Sequence, residues 1–351
     1  MSKVSISQII NYSYVRYDRL TELINFDYKD SKDTKINIFI DLYSILKPLY
    51  SSNIAIDDYS EVTSCLINMC AHYRYFFQSR YNVQSRIYLI WSKNIPYKNS
   101  SVYPEYNSKF GYTINTNKKI TSLISDNLNL LETLCPYIPD VMYVTDLYEV
   151  GVIANYISKM QDNFGIPGLF ISRDCYNYQL ARGKYDMKVL VPYKVHTDNG
   201  TVDMSYLVSN YNCIDWYLNK LQVKFEPGMD QYVPGELLSL LMALSRCPTR
   251  NIVSLKNIPR AYKDIAYLID AKIIPSSHIY DTDAVAEALH INKDALKARY
   301  YICDIISQEM HYNLDPAINI HQSMINLYDA NEVKNINNKY FIKYPLDLNR
   351  L

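Results

Sequence analysis

The chain has 351 residues, of which 48% are hydrophobic and 21% charged; this length suggests about two domains, and the composition buries a core and excludes a disordered chain. Lys plus Arg and Asp plus Glu both number 36, so the net charge is zero, which counts against a dedicated non-specific nucleic-acid binder. Seven cysteines without a C-x-x-C pair exclude a disulfide framework and a zinc knuckle; no apolar run reaches the ~18 residues a bilayer span needs, and Met1-Ser2-Lys3-Val4-Ser5 does not read as a signal peptide, so an intracellular protein without membrane association is expected.

Residues 5–26 place Ile6, Ile9, Ile10, Leu20, Leu23 and Ile24 at helical spacing. Lys29–Asp33 then reads as an exposed linker. Ile36–Asp41 is a short β-rich apolar run ending in an acid, the pattern of a strand buried on both faces of a parallel sheet. A helix is expected over 59–80 and a second strand at Arg86–Trp91. Residues 98–118 are polar and rich in Tyr, Asn and Lys, so they read as a loop. A helix over 120–135, a strand at Val141–Val144, a helix over 147–161 and strands at Gly168–Ser172 and Lys188–Val191 follow. Past about residue 215 the pattern is mostly helical, with Ala284, Val285, Ala288 and Leu289 on one face. Strands alternating with helices predict an α/β fold with a parallel sheet, whose chemistry gathers at the carboxyl ends of the strands. Asp41 and Asp174 lie just past such ends, and Glu149 opens the helix before the fourth strand. Each acid also suits a plainer role, as a cap or a first-turn residue.

Four segments in order resemble the flap endonuclease and 5′–3′ exonuclease family of the PIN-like superfamily. Phe39-Ile40-Asp41-Leu42-Tyr43-Ser44 is similar to that family's first strand with its metal-binding Asp. Ile90-Trp91-Ser92, followed by Tyr103-Pro104-Glu105-Tyr106, resembles the second strand and the entry to the arch. Glu149-Val150-Gly151-Val152 stands at the place of Glu-Ala-Asp-Asp. Ser172-Arg173-Asp174-Cys175-Tyr176-Asn177-Tyr178-Gln179-Leu180 resembles Ser-x-Asp-x-Asp-x-x-Gln-Leu. A fifth segment, Glu236–Leu244 with Asn251-Ile252 and Asn257-Ile258-Pro259, looks like the helical region carrying Leu-x-Gly-Asp-x-x-Asp-Asn-Ile and a Gly-Ile-Gly hairpin.

The resemblance implies a PIN-like parallel sheet flanked by helices, then a smaller helical region. It divides the chain into an N-terminal helical extension (1–35), a nuclease-fold domain (36–215), a helix–hairpin–helix-like region (216–275) and a C-terminal helical tail (276–351). It implies Asp41, Glu149 and Asp174 as catalytic residues and as ligands for Mg²⁺ or Mn²⁺. It makes Lys93, Lys98, Lys109, Lys118 and Lys119 of the arch-like segment candidates for phosphate contact; an exposed polar loop explains them as well.

The departures from the pattern are equally specific. Ser92 stands where the second strand's Asp belongs, Gly151 and Val152 replace two Asp, and Tyr176 replaces another. Ser245–Arg250 lacks the Gly-Asp and the later Asp, Ile258-Pro259-Arg260 lacks the hairpin glycines, and Asn107 and Phe110 replace arch cations. Arg173 is placed to neutralise Asp174 by pairing. Three readings follow: a catalytically degenerate flap-endonuclease relative in nucleic-acid binding or assembly; an active Mg- or Mn-dependent 5′ nuclease with a reduced site; and a structural virion protein using the fold for protein contacts. Partners expected are DNA or RNA, and proteins docking through the N-terminal helix and the tail. The 36 tyrosines, with frequent Ile and Asn, point to AT-rich codons and a genome such as a virus's, and so to the host cytoplasm or a virus particle.

Overall fold

The computed structural model describes residues 35–51, 59–92, 102–103, 118–146, 148–160, 166–182, 187–197, 200–223, 233–250, 252–275, 281–305 and 327–341, with Leu20, Ser307 and Leu346 as single positions. The first half runs β1 (Lys35–Asp41), α1 (Leu42–Ser51), α2 (Tyr59–Tyr81), β2 (Gln84–Ser92), α3 (Lys118–Leu134), β3 (Val141–Asp146), α4 (Val150–Lys159) and β4 (Gly168–Ile171). A 3-10 segment (Cys175–Arg182), β5 (Met187–Thr197) and β6 (Gly200–Val208) complete the sheet region. The helical remainder comprises α5 (Cys213–Lys220), α6 (Leu238–Leu244), α7 (Ile258–Asp270), α8 (Thr282–Ala288), α9 (Lys293–Cys303) and α10 (Ala330–Tyr340).

The sheet order is β3-β2-β1-β4-β5-β6. The first five strands run parallel and β6 returns antiparallel along β5. The five parallel strands lie where the apolar runs place them. β6 is the addition, so the sheet is mixed. The expected linker at 29–33 and helices over 5–26 lie outside the described residues, apart from Leu20.

Side chains alternate across the sheet, and both faces are covered. Ile36, Ile38, Ile40, Leu89, Leu169 and Leu190 face a core built with α2 and α3. Phe39, Tyr88, Ile90, Phe170 and Val189 face a second core, built with α4, α5, α6 and the helices beyond. The aromatic–basic stretch of α2 is mostly packing. Tyr73, Phe76 and Phe77 are fully buried, and Arg74 Nη1 donates to the Pro139 carbonyl at 3.0 Å. All seven cysteines are free thiols and buried. Among the described residues no helix is long and apolar enough to cross a membrane.

The alternation decides where the acids point. Asp41 continues the Phe39 face of β1, and Ser172, just past β4, continues the Phe170 face. Both therefore look toward α4 and the helical region. Ser92 and Asp146 end β2 and β3 in register with each other and are also buried.

Candidate active site

Asp41 is fixed from two sides. The Ser44 backbone N–H donates to Asp41 Oδ1 at 3.2 Å, which anchors the turn from β1 into α1. The Ser172 hydroxyl donates to Asp41 Oδ2 at 2.8 Å, linking β1 to the end of β4. Ser172 Oγ in turn accepts from the Asp174 N–H and from Asn177 Nδ2, each at 3.1 Å. Asp174 Oδ1 accepts the Tyr176 N–H at 3.0 Å, which closes the start of the 3-10 segment. Glu149 is the N-terminal flanking residue of α4, but its side chain makes no capping bond. Its carboxylate is directed elsewhere.

That direction is Arg250. The guanidinium pairs bidentately with Glu149, Nε to Oε1 at 2.9 Å and Nη2 to Oε2 at 2.5 Å. Nη1 reaches Asp174 Oδ2 at 2.8 Å and the Thr249 carbonyl at 3.3 Å. Its central carbon lies 4.0 Å from the centroid of the Tyr176 ring, in range for a cation–π contact. Arg250, Glu149 and Asp174 are 4%, 3% and 4% exposed. Three buried charges in this arrangement satisfy one another by charge-assisted bonds in the fork geometry that suits carboxylates.

The structure thus gathers Asp41, Glu149 and Asp174 in one hydrogen-bonded centre. Burial pushes the Asp41 carboxyl up from 3.8 to about 6, against the lowering effect of the Ser172 bond, and the negative charge of Asp174 adds to the rise. A lone carboxyl in a dry site, beside a like charge, favours its protonated form.

Arg173 does not take the part expected of it. Its Nε donates to the Pro192 carbonyl at 2.9 Å, and the residue that pairs with Asp174 is Arg250. The sequence carries a signal for Arg250. With Asn251-Ile252 in register against Asp-Asn-Ile, Arg250 falls where the family pattern has Asp. Three buried acids also require a cation, because unpaired buried charge is costly.

The other candidates fare as follows. Lys93, Lys98 and Lys109 lie outside the described residues. Lys118 and Lys119 form the start of α3, and their side chains are not among those described. Ile258-Pro259-Arg260, which lacks the hairpin glycines, forms the first turn of α7, capped by Asn257, whose Oδ1 accepts the Arg260 N–H. The cations of this turn are engaged by a buried acid: Lys256 Nζ lies 2.5 Å and Arg260 Nε 3.0 Å from Asp264. Gln179 clamps the C-terminal segment, donating to the Cys303 carbonyl at 2.9 Å and accepting the Ile305 N–H at 3.0 Å.

Known structures match this arrangement of elements. The zinc-bound 5′-exonuclease of T5 aligns with TM-score 0.50 and 13% identity, over 86% of this chain and 98% of that one. A bacteriophage T5 flap endonuclease aligns with TM-score 0.51 and 14% identity, over 86% and 97%. It carries lysine in place of an aspartate and is described as a pseudo-enzyme–product complex with DNA and metal ions. The chain has the flap-endonuclease fold. No protein-family model matches it, and no curated protein sequence matches it.

A fold of this kind implies divalent ions at the strand ends, and the residues here do not fit them. Both oxygens of Glu149 and one of Asp174 are engaged by a guanidinium. The positions of Ser92, Gly151 and Tyr176 offer no carboxylate. Among the described residues, no group of three His, Cys, Asp or Glu side chains is arranged to hold a metal ion. The arrangement can hold charge in a fixed place, and it offers no oxygen set for two-ion clamping of a phosphodiester.

Proposed function

We propose that this chain is a flap-endonuclease-like protein that has given up phosphodiester hydrolysis and acts by binding nucleic acid or by assembly upon it. The observation that carries the reading is Arg250, buried between Glu149 and Asp174. In-line hydrolysis of this class needs carboxylates free to hold ions that generate hydroxide and stabilise the departing oxygen. A guanidinium keeps its charge at any working pH, cannot generate hydroxide, and shields the carboxylates from doing so. The similar structure with lysine for aspartate, described as a pseudo-enzyme in complex with DNA, supports the pairing of lost chemistry with retained binding.

The test uses 5′-labelled flap and single-stranded DNA with Mn²⁺. The label is expected to stay at full length. Metal-dependent cleavage that disappears in Asp174→Ala would overturn the reading and restore the active nuclease with a reduced site. A binding titration at several salt concentrations then decides the partner. Affinity that falls steeply with salt marks phosphate contact. The zero net charge favours a second reading, a structural protein using the fold for protein contacts. Absent or salt-insensitive binding would leave that one standing.

A further inference from the structure

We propose that Cys247 and Cys303 form a redox clasp: a hydroperoxide converts the two thiols into a disulfide that ties the segment after α9 to the turn carrying Arg250. This device is independent of the loss of hydrolysis proposed above.

The two sulfurs meet where these segments cross. Cys247 lies between α6 and the 3-10 turn Pro248–Arg250. Its carbonyl accepts the Arg250 N–H at 3.0 Å and the Ile252 N–H at 3.2 Å, so it sets the turn that aims the guanidinium. Cys303 ends α9, which packs against α6. Its carbonyl accepts from Gln179, whose Oε1 receives the Ile305 N–H. Both cysteines are fully buried, and the Cys303 thiol donates a hydrogen bond to the Cys247 sulfur. Thiols that share a hydrogen already face each other, as a disulfide requires. The two are distant in sequence, so joining them removes much freedom from the unfolded chain.

The sulfurs are chemically unequal. Burial raises both. At Cys247 the bond from Cys303, the charge of Arg250 and the Thr249 hydroxyl 3.5 Å away outweigh burial and bring the thiol below its ordinary value. At Cys303, burial and the bond given to Cys247 hold the thiol well above it. Cys247 is thus the attacking sulfur and Cys303 the resolving one. The Cys247 thiolate attacks a peroxide oxygen, the O–O bond breaks, and the departing hydroxide takes up a proton and leaves as water. The Cys303 sulfur then attacks the sulfenic sulfur, and its proton leaves with the hydroxyl as a second water. The thiols lose two electrons and the peroxide gains them. Because both sulfurs are sealed, the oxidant must be small enough to enter through local opening, and hydrogen peroxide is.

The test treats the full natural chain with increasing hydrogen peroxide, blocks the remaining thiols in denaturant and maps linked peptides by mass spectrometry. Circular dichroism confirms that the chain stays folded. A single link from Cys247 to Cys303 is expected, with the other five of the seven cysteines recovered as blocked thiols. The link is expected to slow amide exchange in the peptide carrying Asp304 and Ile305 at least about tenfold, and dithiothreitol to restore the original rate. Cys303→Ala is expected to show neither link nor slowing. If that variant does not fold, the map and the dithiothreitol reversal on the natural chain decide the matter. Four results overturn the clasp: no link in the folded chain, a first link between any other pair, a Cys247–Cys303 link that leaves exchange unchanged, or slowing that persists in folded Cys303→Ala. No metal and no nucleic acid enter the measurement, so its failure would leave the proposed function standing.

Discussion

At the scale of single residues, the centre couples folding to pH through Asp41. Its carboxyl titrates at about 6 in the folded chain against an ordinary value of 3.8, chiefly because it is buried. Between those values the native state holds a proton that the unfolded chain has released. Its contribution is therefore greatest at low pH, and it declines as the pH rises through 6. A rise of this size corresponds to a loss on the order of 3 kcal/mol. Asp41→Asn abolishes this titration. Urea unfolding of both chains at pH 4 and pH 7.5 is expected to show the stability difference moving toward the variant by about that amount as pH rises. A difference that stays constant would show that Asp41 titrates normally. The acids themselves are legible in the sequence because each follows an apolar strand or opens a helix. The pairing of Arg250 with them is not, because it spans 76 residues to Asp174 and 101 to Glu149. No local periodicity reports a contact of that span.

At the scale of elements, the centre is held closed by the packing of α4 against the segment after α9. A β-carbon on Gly151 would stand 2.6 Å from Asn177 Oδ1 and 2.7 Å from Ile305 Cδ1. The small residue there is a close-approach requirement. The place that the family pattern gives to an aspartate is filled by an isoleucine from the tail. Gly151→Ala is expected to destabilise the fold by about 1–3 kcal/mol through overpacking. The same change made in an Ile305→Ala background is expected to cost less, because one of the two clashing atoms is gone. Equal costs in both backgrounds, measured by chemical denaturation, would rule out the contact. Five strands are legible as apolar runs because both faces of each are buried. β6 escapes that reading because it alternates, with Thr201, Asp203 and Ser205 between Val202, Met204 and Tyr206. The turn chemistry of Asp198-Asn199-Gly200 is the signal for it.

At the scale of the molecule, one sheet separates two apolar cores, with α1, α2, α3 and α10 on one face and α4 to α9 on the other. Cys65, Cys70 and Cys135 belong to one core, and Cys175, Cys213, Cys247 and Cys303 to the other. The sequence can show that seven unpatterned cysteines are reduced core residues. Their division between the faces depends on the direction of each strand and helix, which only the fold supplies. It has a practical result. Every thiol is sealed in the native state, so a brief pulse of an alkylating reagent in mild denaturant modifies only molecules that have opened. Peptide mass mapping then tells which set of sulfurs was reached first. The chain carries its own pair of reporters, one on either side of the sheet, and they record without any added label which half comes apart before the other.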